Sequence, residues 1–136
     1  MSRVLVDTSA YSAFLRGHPP VERAIQEADE LYLNAIVLGE LLAGFGAGKR
    51  RARNQKDLET FLASPRVGVL DLDGGTAQRY AAIANALRAA GTPIPTNDLW
   101  IASTAMQHGL RILTTDEHYL AVSQVLVDHY FPSATI

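Results

Sequence analysis

Short apolar segments alternate with longer helical stretches along most of this chain, and this alternation limits its possible folds most strongly. Apolar runs that predict strands cover residues 3–7, 31–33, 67–72, 111–115 and 125–127. Helical patterns lie between them, over residues 8–17, 19–28, 35–47, 50–63, 76–90, 97–109 and 117–122. Strands that alternate with helices form parallel sheets covered on both faces. We therefore predict a single α/β domain over residues 1–136, with four or five parallel strands flanked by helices on both faces.

Length and composition are consistent with one ordered domain and exclude several kinds of site. A chain of 136 residues, of which 48% are hydrophobic, can bury a substantial core. The sequence has no cysteine, which excludes disulfides and thiolate metal sites. It contains no apolar run long enough to span a membrane, and its N-terminus lacks the pattern of a signal peptide. We therefore expect a cytoplasmic protein.

Two acidic residues lie where predicted strands end. Asp7 ends the first strand, and Asp116 follows the fourth. In open α/β sheets, ligands bind outside the carboxyl ends of the strands. The two carboxylates are therefore candidates for a functional site at that edge of the sheet.

Two further acids lie on helical segments that are otherwise mostly apolar. Glu40 is the only charged residue in the stretch AIVLGELLAGFGAG, and Asp98 lies within a sector of small and apolar residues on its helix. An ionised carboxylate is rarely buried without a partner, yet no Arg or Lys lies in either sector. Asp98 could still be only a capping residue at a helix start where Thr96 or Asn97 is the predicted N-cap.

Four carboxylates that converged on one point would repel one another and raise one another's pKa unless a cation lay among them. Oxygen ligands of this kind suit Mg²⁺ or Mn²⁺. Sites with one or two such ions support phosphodiester hydrolysis by an activated water. The predicted metal ligands and catalytic groups are Asp7, Glu40, Asp98 and Asp116. Three nearby hydroxyl groups are expected to support them, namely those of Thr8, Ser9 and Thr114.

Four segments of the chain resemble those of the PIN-domain family, and most closely its VapC-like toxins. The segments are VLVDTSA, LGELLAG, GTPIPTNDLWIASTA and ILTTDEHY, and they carry the four acids in the order and with the spacing of the family. The resemblance implies a metal-dependent endoribonuclease with a central parallel sheet, in which the four acids hold metal or activate water. It also implies a homodimer and inhibition by a small antitoxin protein that fills the active groove.

Basic residues are concentrated in residues 49–56, and three of them are candidate contacts for RNA phosphates: Arg50, Arg51 and Arg53. The formal net charge of −2 does not by itself indicate a nucleic-acid-binding protein, but leaving out the four candidate site acids changes it to +2. The basic stretch is therefore either a solvated helix face or a contact for a polyanion or protein partner.

Other residues near these segments have different expected roles. We expect His118 to face solvent or to pack rather than to act as an acid or ligand, and Tyr119 to be a core residue. Glu117 is adjacent to the last acid, where some relatives carry a further acid, but no fifth ligand is predicted. One side of the helix at 35–47 could contact a second copy or an antitoxin through Leu38, Leu41, Leu42 and Phe45.

Two other functions are compatible with parts of the sequence. The stretch VLDLDGGTA resembles the DLDGT motif of haloacid-dehalogenase-like phosphatases, with Asp71 as nucleophile, although Asp71 or Asp73 could simply cap the next helix. Alternatively, the acids could bind metal in a non-catalytic, RNA-binding or regulatory domain. The stretch GFGAGKR departs from a phosphate-binding loop in its spacing and lacks the final hydroxyl residue.

Overall fold

Five parallel strands form one sheet in the computed structural model, which describes residues 2–132. The strands are β1 (Arg3–Val6), β2 (Glu30–Asn34), β3 (Val67–Leu70), β4 (Arg111–Thr114) and β5 (Val127–His129). Their order across the sheet is β3-β2-β1-β4-β5, and every neighbouring pair is parallel. The predicted α/β fold with a parallel sheet is therefore confirmed.

Six helices connect the strands in the described part of the chain: α1 (Thr8–Leu15), α2 (Pro19–Glu27), α3 (Ala35–Ala47), α4 (Arg51–Leu62), α5 (Gly74–Ala90) and α6 (Thr96–His108). A short 3-10 turn over Glu117–Ala121 links β4 to β5. The chain moves outward from β1 to β3 and then returns to β4. Because parallel crossovers are right-handed, this order places the helices before β3 on one face and α5 and α6 on the other. None of the helices described is long and apolar enough to cross a membrane.

The hydrophobic core lies on both faces of the three inner strands. Leu5, Leu33 and Ile112 are fully buried in β1, β2 and β4. On the α1–α4 side, an aromatic cluster joins α1 to α4, with ring centroids 5.2 Å apart for Tyr11 and Phe61. These contacts fix α1 against α4 on this face of the sheet.

Two of the connecting helices begin at side-chain caps, and the cap of α5 is one of the two residues that the sequence predicted for it. The Asn34 side chain accepts a hydrogen bond of 2.9 Å from the Val37 N–H and so caps α3. Asp73 caps α5 in a capping box with Thr76. The same Asn34 forms the last pair with β3, at Leu70. Strand β3 therefore ends two residues earlier than predicted, because its partner strand turns into a helix there.

The start of α6 differs from the prediction. Pro95 is the N-cap residue, and no side chain caps the helix. The prediction that Thr96 or Asn97 is the cap was wrong, because the helix begins one residue earlier and the Asn97 amide donates to Glu40 instead. Asp98 lies in the first turn, where the helix dipole favours a negative charge.

The apolar residues of α3 do not form one exposed surface. Leu41 and Phe45 are core residues, whereas Leu42 is 43% exposed and Leu38 is partly buried against the core. The expectation that all four contact a partner was therefore wrong for Leu41 and Phe45, because these two side chains pack within the monomer. In α3, a leucine facing the core is followed directly by one facing solvent.

Replacing these two leucines separately tests this packing. We expect Leu41→Ala, at a residue that is 2% exposed, to lower the free energy of unfolding by about 2–5 kcal/mol, through lost burial and a cavity. The matched Leu42→Ala change should alter it by less than about 0.5 kcal/mol. Urea denaturation followed by circular dichroism measures both values. Equal losses for the two variants would contradict the placement of α3.

Candidate metal centre

Four carboxylates from four different segments line one pocket at the carboxyl ends of the strands. The pocket has a volume of about 230 Å³ and is lined by Asp7, Thr8, Ser9, Glu40, Asp98, Ile101, Asp116 and Tyr119. Asp7 follows β1, and Glu40 lies on α3. Asp98 lies in the first turn of α6, and Asp116 follows β4. Among the described residues that line this pocket there is no Arg or Lys.

Asp7 is the most buried of the four acids, with 3% of its surface exposed. It is the N-cap of α1, and its Oδ1 accepts a hydrogen bond of 2.8 Å from the Ala10 N–H. Burial raises the pKa of Asp7 to about 6, although hydrogen bonds from Thr114, Ala10 and Ser9 act in the opposite direction and the Asp116 charge adds to the rise. The protein thus holds a carboxylate where its charge is unfavourable in the absence of a cation.

Two hydroxyl groups join Asp7 to the end of β4. Thr114 Oγ1 donates to Asp7 Oδ2 at 2.6 Å and accepts from the Asp116 N–H at 2.8 Å. Ser9 Oγ lies 2.8 Å from Asp7 Oδ1 and accepts from the Thr115 N–H at 3.0 Å. Thr114 and Ser9 therefore fix both the rotamer of Asp7 and the path of the chain towards Asp116.

Glu40 is held from both sides by neighbouring elements. Thr8 Oγ1 donates to Glu40 Oε1 at 2.6 Å, and Asn97 Nδ2 donates to Glu40 Oε2 at 3.2 Å. These bonds link α3 to the starts of α1 and α6. Sequence reasoning treated Asn97 only as a candidate cap, so its contact with Glu40 was missed. Its position beside Asp98 was the one available signal.

Asp98 contacts the 3-10 turn after β4. Tyr119, predicted as a core residue, is buried, and its hydroxyl donates to Asp98 Oδ1 at 3.2 Å. The other oxygen, Asp98 Oδ2, lies 2.8 Å from His118 Nδ1. Burial raises the pKa of Asp98, and the hydrogen bond from His118 opposes that rise. Asp98 is therefore neither a helix cap nor paired with a Lys or Arg.

His118 lies closer to the acids than the sequence indicated. Its Nδ1 is 2.8 Å from Asp98 Oδ2 and 3.0 Å from Asp116 Oδ1. The hydrogen bond to Asp98 is the main cause that raises the pKa of His118, and the charges of Asp116 and Asp98 add to the rise. The expectation that this side chain faces solvent is confirmed in part, because 49% of its surface is exposed, but the 3-10 turn also directs its ring towards the two carboxylates. The one sequence signal was its position two residues after Asp116.

The three arginines predicted to contact RNA lie outside this pocket. Arg50 precedes α4, and Arg51 and Arg53 lie in its first turn, all with exposed side chains. Arg53 Nε is 4.0 Å from Asp57 Oδ2, a weak exposed pair. Their role in RNA binding stays a prediction.

The donor set of the pocket fits a hard divalent cation. Its possible ligand atoms are mainly carboxylate oxygens, the type that Mg²⁺ and Mn²⁺ prefer. Ligand atoms of Asp98, Asp116 and His118 lie within 4.8 Å of one another, a span that one ion can bridge. A cation would also offset the repulsion and desolvation that raise the pKa of Asp7 and Asp98. The fold and pocket thus define a class: α/β proteins with a carboxylate-rich metal site at the strand ends.

Comparison with known proteins identifies the family within this class. The family model described as "PIN domain" matches residues 4–124. Ribonuclease VapC4 of Mycobacterium tuberculosis is 35% identical over 95 residues, which cover 70% of this chain and 73% of that protein. Toxin FitB of Neisseria gonorrhoeae is 32% identical over 133 residues, covering 91% of this chain and 95% of FitB. The chain therefore belongs to the PIN-domain family, among its VapC-like proteins, as the sequence motifs predicted.

Solved structures agree with this assignment at the level of the fold. VapBC2 from Rickettsia felis, bound to a DNA fragment from its promoter, superposes with a TM-score of 0.82 at 22% identity, covering 93% of this chain and 97% of that one. FitAcB from Neisseria gonorrhoeae superposes with a TM-score of 0.74 at 28% identity, covering 95% and 97%.

The raised pKa of Asp7 gives a pH-dependent test in metal-free protein. A carboxyl group with a pKa of about 6 when folded and 3.8 when unfolded stabilises the fold fully only below pH 3.8. It loses that stabilisation as the pH rises through 6. Asn cannot titrate, so the free energy of unfolding of Asp7→Asn should gain about 2 kcal/mol relative to that of wild type between pH 4 and pH 7.5.

Urea denaturation in EDTA at the two pH values measures this difference in unfolding free energy. Titrating groups remote from Asp7 contribute equally to the two pH curves, whereas Asp116, whose charge acts on Asp7, contributes to the same difference. A constant difference between the two proteins at both pH values would show that Asp7 is not destabilised by burial.

Proposed function

We propose that this chain is a metal-dependent endoribonuclease and the toxin of a toxin–antitoxin pair. The observation that carries the proposal is the pocket of four carboxylates, contributed by four segments and lined by no described Arg or Lys. Sequence similarity supports it in two ways: the chain matches the PIN-domain family model, and it has relatives that are named VapC ribonucleases. Because its substrate would be cellular RNA, we expect it to act in the cytoplasm.

The four acids have distinct supporting contacts that suit them to hold Mg²⁺ or Mn²⁺. Asp7, Glu40, Asp98 and Asp116 would be the metal-holding residues. When bound, such an ion lowers the pKa of a water molecule and stabilises charge on the phosphate. Ser9 and Thr114 keep both oxygens of Asp7 in fixed directions. Thr8 and Asn97 do the same for Glu40, so neither carboxylate must reorganise when substrate arrives.

A phosphatase that uses Asp71 as a nucleophile fits this geometry poorly. Asp71 is exposed beyond the end of β3, an edge strand, and does not line the acidic pocket. Asp73, the second acid of that motif, caps α5. A non-catalytic, metal-binding or RNA-binding domain remains the alternative that only a turnover measurement separates from a nuclease.

Asp98→Asn separates the nuclease from this alternative. Asn keeps the size of the side chain but removes a negative ligand, so we expect no detectable cleavage of unstructured RNA with Mg²⁺ or Mn²⁺. Metal affinity measured by titration calorimetry should also fall. The control is Asp71→Asn, an exposed acid outside the pocket, which should cleave RNA like wild type. Hydrolysis of a phosphomonoester that is lost only in Asp71→Asn would favour the phosphatase-like alternative. RNA binding without cleavage in wild type would favour the binding domain.

The basic stretch at the start of α4 could supply contacts to the RNA backbone. Arg50, Arg51 and Arg53 are exposed, and without the four pocket acids the formal net charge of the chain is +2. Phosphate contacts by such residues position RNA without reading its sequence. A homodimer stays a prediction as well, with exposed Leu42 as the residue of α3 that is free to contribute.

An apolar groove between α1, α2 and α4, separate from the active groove that the resemblance implies for the antitoxin, is our candidate surface for a further contact with it. It has a volume of about 410 Å³ and is lined by Tyr11, Phe14, Leu15, Gly17, Glu22, Asp57, Thr60 and Phe61. The Tyr11 hydroxyl is buried there without a hydrogen-bond partner. A buried hydroxyl of this kind lowers stability unless a hydrogen-bond donor or acceptor pairs with it. The aromatic walls and two acids suit an apolar segment that carries Lys or Arg.

Charge reversal at the groove tests this surface. We expect an open reading frame beside this gene to encode a small DNA-binding protein. Glu22→Lys with Asp57→Lys should weaken binding of that protein at least about tenfold, a loss of about 1.4 kcal/mol. RNA cleavage without it should be unchanged. The matched control is Glu27→Lys with Glu59→Lys, which makes the same charge change on the same two helices outside the groove. Equal effects of both pairs, measured by calorimetry, would place the antitoxin elsewhere.

A further inference from the structure

The His118 imidazole lies at the pocket rim, against two of the acids assigned above. Its Nδ1 is 2.8 Å from Asp98 Oδ2 and 3.0 Å from Asp116 Oδ1. Asp98 Oδ1 is already engaged by the Tyr119 hydroxyl. The remaining oxygen of Asp98, one oxygen of Asp116 and one nitrogen of His118 therefore share a single small volume.

The backbone on both sides of His118 is fixed. The His118 N–H donates to Asp116 Oδ1 at 2.9 Å, which starts the 3-10 turn. The next residue, Tyr119, is 1% exposed and anchored in the core. The ring itself is half exposed, at 49% of its side-chain surface. It is thus held over the pocket by its backbone while remaining accessible to ions in solvent.

The three atoms have the spacing of ligands around one ion. In an octahedral site with bonds of about 2.1 Å, neighbouring ligand atoms lie about 3.0 Å apart and opposite ones about 4.2 Å apart. The two distances from Nδ1, 2.8 and 3.0 Å, match neighbouring positions. All three atoms lie within 4.8 Å of one another. One cation can therefore contact all three with little movement of the chain.

We propose that His118 Nδ1 is a metal ligand, and that it makes this site select first-row transition ions such as Mn²⁺ over Mg²⁺. This proposal rests on the proposed metal-dependent function. The ion takes the place of the Nδ1 proton, which is released to solvent. Imidazole nitrogen is a softer donor than carboxylate oxygen, so transition ions gain more from it than Mg²⁺ does.

A purely electrostatic role for His118 predicts the opposite result. An imidazole that only forms hydrogen bonds with the two carboxylates competes with any cation for the same oxygens. Its removal would then strengthen the binding of Mg²⁺ and Mn²⁺ alike. A ligand, in contrast, weakens Mn²⁺ binding when it is removed and affects Mg²⁺ less. The sign and selectivity of the change therefore separate the two roles.

The test measures binding of Mn²⁺ and of Mg²⁺, each alone, by titration calorimetry. For His118→Ala and His118→Phe we expect Mn²⁺ affinity to fall at least about tenfold and Mg²⁺ affinity by less than about threefold. Glu117→Gln, on the same exposed turn, is the matched control and should bind both ions like wild type. Circular dichroism confirms that each variant is folded. The Phe variant keeps an aromatic ring of similar size, so it controls for packing effects of removing the imidazole.

Pulsed electron paramagnetic resonance of bound Mn²⁺ reads the ligand directly. Wild type should show a coupling to imidazole nitrogen that both His118 variants lack. Absence of that coupling in wild type, or unchanged or stronger Mn²⁺ binding in the variants, overturns this proposal. If Asp98→Asn still weakens binding of both ions in that case, the proposed metal-dependent function stands. If wild type binds neither ion, both proposals fail.

Discussion

The parallel pairing of β1 with β4 is the constraint on which the rest of the site depends. Val6 lies opposite Leu113, and the Asp7 N–H donates to the Leu113 carbonyl at 3.1 Å. Both strands therefore end at the same level. Each continues into a turn, one leading to α1 and one to the 3-10 segment. Thr114 and Ser9 then join the two turns through Asp7, which brings Asp116 within reach of the same pocket.

The carboxylates that suit this pocket to bind a cation also lower the stability of the metal-free fold. The core beneath the pocket is apolar and well buried, yet the chain places Asp7 in it with a pKa raised to about 6 by burial. Neighbouring hydroxyl and N–H donors reduce the cost of that charge but do not remove it. Glu40 and Asp98 reach the pocket from α3 and α6, so packing of both helices is needed to assemble it. A bound cation would relieve the cost, and folding and metal binding would then be coupled.

Much of this architecture could be predicted from the sequence because the signals are local. Alternating apolar and helical segments predicted the sheet, and strand ends located Asp7 and Asp116. Glu40 and Asp98 were identified as charges on otherwise apolar helix sectors. The contacts of Asn97 and His118 were missed, because they depend on how α3, α6 and the 3-10 turn meet in three dimensions. For the same reason, the sequence did not show that Leu41 faces the core while Leu42 faces solvent.

The central claim is that four carboxylates from separate segments share one divalent cation. A crystal of the protein grown or soaked with Mn²⁺, measured at the manganese absorption edge, tests it most directly. We expect an anomalous peak in the pocket, bonded to oxygens of Asp98 and Asp116 and within reach, directly or through water, of Asp7 and Glu40. Strong Mn²⁺ peaks only at other surfaces, with the pocket carboxylates bonded to water or to basic side chains, would contradict the account.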